Sequence, residues 1–145
     1  IIKLNTQKPG LQISPLALGL SYEMKDILPD PGGKYYFHPD NTALIKMLNT
    51  LGVRHLRLGG NSVDSPNVPN PSEEDIHTFF QFARAAGLKV VYSIRLQDRD
   101  PEYARKVAKI LNDNYTDLVE SISIGNEPSY YKDKEEYLRS MTGWS

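Results

Sequence analysis

One repeat constrains this chain more than any other feature: an apolar run followed by a stretch with helical spacing, four times over. Residues 16–22, 53–58, 88–94 and 119–124 read as strands, recurring about every 31–36 residues. Between them, Leu44, Ile45, Leu48 and Leu51 fall on one helical face. So do Ile76, Phe79, Phe80 and Ala83, and then Ala104, Val107, Ala108 and Leu111. The punctuation agrees. Asp40 or Asn41 caps the first helix and Gly52 stops it; Ser72 caps the second, with Asp75 in the capping-box position and Gly87 at the end. Asp100-Pro101 opens the third, because Pro at the first helical position loses no needed donor. A fourth helix is expected at 133–141, and an irregular loop at 25–38, rich in Pro, Gly and Tyr.

Strands joined by helical crossovers pair in parallel, and the crossovers are right-handed. Two architectures accept this pattern. A doubly wound sheet usually carries a Gly-rich phosphate loop after its first strand, whereas here that strand ends in Ser21-Tyr22-Glu23. The other is a (β/α)8 barrel, which needs about 250 residues. Four units in 145 residues are half of one. The expected fold is therefore α/β: four parallel βα units, the N-terminal half of a (β/α)8 TIM barrel, over the whole of 1–145. The chain begins at Ile1 and not Met, so it is expected to be processed, trimmed or part of something longer.

Composition removes several function classes. Seventeen Lys and Arg against eighteen Asp and Glu leave a net charge of −1, without the basic footprint of a nucleic-acid binder. No apolar run approaches the ~18 residues of a membrane span. The absence of Cys excludes disulfides, zinc ribbons and thiol chemistry. His38, His55 and His77 share no ligand spacing, so neither metal nor cofactor is expected. Gly59-Gly60 lacks the Lys-Ser/Thr of a phosphate loop and reads as a tight strand exit.

In parallel α/β folds, function collects beyond the carboxyl ends of the strands. Those ends here are Tyr22-Glu23, then Gly59 through Asp64, then Arg95-Leu96-Gln97, then Gly125-Asn126-Glu127-Pro128. Carboxylates, carboxamides and a guanidinium meet there, with Tyr22, Tyr92 and Tyr130 nearby to offer flat faces to sugar rings. It reads as a polyol site. Glu127 stands out, placed between Gly125 and Pro128. Partial desolvation there would raise its pKa toward that of a general acid; the competing reading is a solvated loop acid beside a turn Pro. By composition, Asn-Glu-Pro arises by chance in a chain this long only on the order of a few per cent of the time.

The segment Ser123-Ile124-Gly125-Asn126-Glu127-Pro128, ending a fourth strand, resembles the acid/base signature of the clan of retaining glycosidases built on (β/α)8 barrels. Leu56-Arg57-Leu58-Gly59-Gly60-Asn61-Ser62-Val63-Asp64 and Gly19-Leu20-Ser21-Tyr22-Glu23 resemble glycoside hydrolase family 79, the heparanase and β-glucuronidase relatives. The resemblance implies that Glu127 is the acid/base and that Asn126 holds the sugar 2-hydroxyl. It also implies that Asn61, Asp64, Glu23 and Tyr22 line the glycone subsite. Retaining chemistry needs a second carboxylate about 5–5.5 Å away; in the family it is a Glu ending strand seven, so the nucleophile is expected outside this chain. The family's accessory β-sandwich is expected to be absent too, apart from a possible remnant in residues 1–5. Strand three departs from the family, with Arg95-Leu96-Gln97 where an Asn-containing end is usual.

Several features keep two readings. Arg95 meets a uronate carboxylate or forms a structural ion pair, the second being preferred. Tyr35-Tyr36-Phe37 is a substrate platform or a hydrophobic plug. Glu73-Glu74-Asp75 suits a helix N-terminus, and Asn114-Tyr115-Thr116 is a glycosylation sequon. The expected function is the acid/base half of a retaining β-glycosidase for β-linked uronides, secreted or otherwise extracytoplasmic. Its expected partners are a carbohydrate substrate and the missing barrel half or a second copy. The alternative is a non-catalytic carbohydrate-binding or self-assembling half-barrel.

Overall fold

The computed structural model describes residues 7–97, 100–131, 135 and 138. Four parallel strands, β1 (Gly19–Glu23), β2 (His55–Gly59), β3 (Lys89–Ile94) and β4 (Val119–Ile124), lie in the order β1-β2-β3-β4. They alternate with α1 (Thr42–Thr50), α2 (Glu73–Ala86) and α3 (Pro101–Asn114). The order never reverses, unlike that of a doubly wound sheet at its switch point. Successive right-handed crossovers therefore place all three helices on one side.

The helix signals act as expected. Asn41, not Asp40, caps α1, its side chain accepting from the Leu44 amide. Ser72 and Asp75 close a reciprocal capping box on α2, which Gly87 ends in the left-handed region at φ 68°. Asp100 caps α3 by accepting from the Tyr103 amide. The inward face of α3 carries Ala104, Val107, Ile110 and Leu111, while Ala108 points out. Leu51, expected on the buried face of the first helix, is exposed at the C-cap. The first strand starts later than its apolar run, because Ser14-Pro15 winds Pro15–Ala17 into a 3-10 turn. The fourth helix expected at 133–141 is described only at Glu135 and Leu138, and residues 1–5 lie outside the described residues.

Strand register sorts the side chains. Tyr22, Leu58, Tyr92 and Ile122 form one row across the sheet; Ser21, Arg57, Val91 and Ser121 form the next. Leu56, Leu58, Val90 and Tyr92 are buried under the helices with Phe79, Phe80 and Phe82. The loop after β1 closes this core: Met24 and Ile27 in a 3-10 turn (Met24–Ile27) and Phe37 are buried. Phe37 packs edge-on against Tyr22 and Phe79, with ring centroids 4.9 Å and 5.4 Å apart. It is the plug anticipated for Tyr35-Tyr36-Phe37, while Tyr36 remains half exposed. Phe80 stacks on Tyr115 at 4.5 Å.

The outer strands differ from the inner pair. The first strand reads from its sequence as buried, yet Leu18 and Leu20 are 49% and 38% exposed, and on β4 Ile122 and Ile124 are 43% and 45% exposed. The helix side of the sheet is thus apolar across all four strands but covered mainly over β2 and β3. The opposite side is polar, with Ser21, Arg57, Ser121 and the Ser93–Ser123 hydroxyl pair at 2.7 Å. Among the described residues, no helix is long and apolar enough to cross a membrane.

Candidate functional site

The carboxyl ends of the strands are tied together by side chains that cross strand boundaries. Glu23 closes β1, and its carboxylate accepts from the amides of Asn61 (3.3 Å) and Ser62 (2.7 Å) in the loop after β2. This approach requires Gly60, which sits at φ 62°, and a Cβ there would overlap the Glu23 carboxylate. Partial burial by itself pushes the Glu23 pKa up. The hydrogen bonds from the Ser62 hydroxyl and the Ser62 and Asn61 amides, with Lys25 nearby, outweigh it and hold the pKa below its ordinary value.

A carboxylate with a lowered folded-state pKa stabilises the fold in full above its unfolded pKa, about 4.3. That contribution is lost as pH falls through the lower folded value. Urea midpoints measured from neutral pH down to pH ~3 should therefore fall more gently for Glu23→Gln than for the parent chain. Parallel profiles would mean that the Glu23 latch carries no pH-linked stability.

Asp64 makes the second tie. It is buried, at 7% exposure. One carboxylate oxygen accepts from the amides of Leu96 (2.8 Å) and Gln97 (3.1 Å), the other from the amide of Asn126 at 2.6 Å. A single side chain from the β2 loop thus sets the exits of both β3 and β4. Gly125, at φ 69°, allows this closeness, since a Cβ there would lie 2.8 Å from the Leu96 Cβ and 3.2 Å from the Asp64 Oδ2.

Asn126 is held at side chain and backbone alike. Its Oδ1 accepts from Arg57 Nη2 at 2.8 Å, and its Nδ2 donates to Asn61 Oδ1 at 3.1 Å. The expected site residues Asn61 and Asn126 therefore share one patch on the rim. Glu127 follows directly, with φ 46° and ψ 54°, the one non-glycine at positive φ among the described residues. A left-handed conformation costs such a residue about 1–2 kcal/mol, which the Asn126 ties and the following turn (Pro128–Tyr130) offset.

Four readings are decided or changed at this point. Of the two readings open for Glu127, a partly desolvated acid and a solvated loop acid, the exposure of its side chain after the outermost described strand fits the second. Tyr22 and Tyr92 do not face the rim, because their register row is the helix-facing one: Tyr22 packs on Phe37, and Tyr92 is fully buried. Arg95 forms no ion pair among the described residues. Its guanidinium donates to the carbonyls of Val63 (2.7 Å), Ser65 (2.6 Å) and Val68 (2.6 Å), so it shapes the loop after β2. Finally, the carboxylates of Glu23 and Asp64, expected as sugar ligands, accept hydrogen bonds from backbone amides and so tie the strand ends together.

Arg57 is the residue that the reading of strand ends missed. It lies within β2, and its guanidinium spans from Ser21 Oγ (3.3 Å) to Asn126 on the polar side of the sheet. It makes no ion pair among the described residues. The signal was present: in Leu56-Arg57-Leu58 a cation alternates with residues of the buried face. No group of three His, Asp or Glu among the described residues could hold a metal ion.

What the arrangement offers chemically is a fixed carboxamide pair, a guanidinium hydrogen-bonded to neutral groups and an accessible carboxylate at the end of a parallel sheet. Neither a known protein family nor a characterised protein matches the chain in sequence.

Proposed function

We propose that this chain is the acid/base-bearing half of a retaining β-glycosidase of the family 79 type, acting on β-linked uronides. The observation that carries the reading is the position of Asn126-Glu127 beyond the fourth of four sequential parallel strands, with Asn126 fixed by Arg57, Asn61 and Asp64. In this reading Glu127 gives its proton to the glycosidic oxygen as the C1–O bond breaks. A second carboxylate bonds to C1; Glu127, now ionised, then takes a proton from the water that displaces that carboxylate. Asn126 meets the 2-hydroxyl. The second carboxylate belongs to a strand beyond the four described, on the polar side of the sheet that carries Arg57. No cofactor takes part, and the setting is extracytoplasmic, which suits the exposed sequon Asn114 at the end of α3.

The test joins this chain to the remaining four βα units of its parent protein and supplies an aryl β-glucuronide. Proton NMR should detect the β-anomer of glucuronic acid first. First appearance of the α-anomer, or multiple turnovers by the isolated 145-residue chain as a monomer, overturns the reading. A second reading, a non-catalytic half-barrel that assembles with another copy, is favoured by the exposed Leu18, Leu20, Ile122 and Ile124 on the outer strands. Sedimentation of the chain as a stable dimer without hydrolytic activity would select it.

A further inference from the structure

Of the nine Asn in the chain, only Asn70 and Asn114 have a Ser or Thr two residues on. Asn70-Pro71-Ser72 is blocked, because Pro in the middle position prevents transfer of a glycan to the Asn. Asn114-Tyr115-Thr116 has no such block. The chemistry of the rim uses neither triplet.

The second triplet lies where α3 ends and the chain turns toward β4. Tyr115 anchors it: the ring is buried and stacked on Phe80, and its hydroxyl lies 2.6 Å from His77 Nδ1. Asn114 and Thr116, on either side, are exposed. The backbone is pinned as well. Arg84 of α2 donates to the Asn114 carbonyl (3.3 Å) and to both carboxylate oxygens of Asp117 (2.7 Å and 3.0 Å). The amides of Leu118 and Val119 both donate to the Tyr115 carbonyl at 2.9 Å. A purely structural role accounts for only one of the two polar side chains. Asn114 Nδ2 donates to the Ile110 carbonyl at 2.9 Å, within the last turn of α3. The Thr116 hydroxyl has no hydrogen-bond partner among the described residues.

We infer that Asn114 is an N-glycosylation site. In the transfer, Asn114 Nδ2 bonds to C1 of a sugar carried on a lipid pyrophosphate. The C1–O bond breaks, the lipid pyrophosphate leaves, and one Nδ2 proton passes to a base of the transferase. The other Nδ2 proton stays, so the bond to the Ile110 carbonyl survives modification. A nascent chain receives its glycan before it folds, so the fold must then leave room for a bulky, hydrated group. This one does, since the triplet's own Asn and Thr face outward. It also keeps the glycan clear of the rim: the six residues of β4 rise about 3.3 Å each, putting about 17 Å of strand between the two. The inference rests on the extracytoplasmic setting of the proposed function and not on its chemistry.

The test expresses the parent protein from its full reading frame in cultured eukaryotic cells and maps its peptides by mass, from cells and medium alike. The peptide containing Asn114 should carry a glycan that peptide N-glycosidase removes, leaving Asp in its place, while the peptide containing Asn70 carries none. Thr116→Ala should abolish the modification without touching the Asn114–Ile110 bond, and Thr116→Ser should retain it. Because transfer precedes folding, neither readout depends on the variant being stable. Bare Asn114 in both fractions, or a glycan that persists in Thr116→Ala, overturns the site. Hydrolysis of an aryl β-glucuronide by protein with bare Asn114 overturns the site and leaves the glycosidase reading standing. A glycan on Asn114 without hydrolysis does the reverse.

Discussion

Replacing Glu127 by Gln in the barrel-completed protein should slow hydrolysis of an alkyl β-glucuronide by about 10²–10⁴-fold, the usual worth of a positioned general acid. An alkoxide is a poor leaving group and must be protonated as the bond breaks. A dinitrophenolate needs almost no proton, so the first step on a dinitrophenyl glucuronide should change little. The second step should still slow, because the same residue must then activate water; a burst of dinitrophenol followed by a slow steady state is the expected trace. Equal loss on both substrates with no burst would mean that Glu127 is not the acid.

Asp64→Ala should cost about 3 kcal/mol or more of folding stability, read as the shift of the urea midpoint. The argument is local. Three backbone amides, those of Leu96, Gln97 and Asn126, donate to one buried carboxylate, and each donor left without an acceptor costs about 1–3 kcal/mol. Against a total of about 5–15 kcal/mol for a typical domain, that is a large share. Asp64→Asn should recover part of it: its one oxygen still accepts from Leu96 and Gln97, but its NH₂ confronts the Asn126 amide. Amide exchange at Asn126 should accelerate in both variants. A loss below ~1 kcal/mol in Asp64→Ala would show that the amides find other partners, and the positioning role would fall with it.

Much of the frame was legible because its causes are local. A capping Ser with an acid three residues on, a Pro at the first helical turn and a Gly beyond the last one all act within a few residues, so α2 and α3 lie where Ser72, Gly87 and Asp100-Pro101 put them. The site was legible as a list of strand ends but not as a set of roles. Glu23, Asp64 and Arg95 are the residue types expected of sugar ligands, yet each is engaged by main-chain groups of a loop far away in sequence. Composition cannot distinguish a carboxylate facing a substrate from one facing amides. Tyr22 illustrates the same limit: its neighbours in sequence place it at a strand end, but the parity of the pleat decides which face it joins.

By itself, then, the sequence determined the four strands, the three helices between them with their capping, and the parallel pairing that helical crossovers impose. The tertiary structure alone decided which groups each polar side chain meets: Asn61 and Glu127 are exposed, Arg57 and Asn126 bond side chain to side chain, and Glu23, Asp64 and Arg95 bond main-chain groups of neighbouring loops. The reason is energetic and non-local. A buried amide or carbonyl must find a partner, and which partner it finds depends on loops that meet only after the sheet has formed.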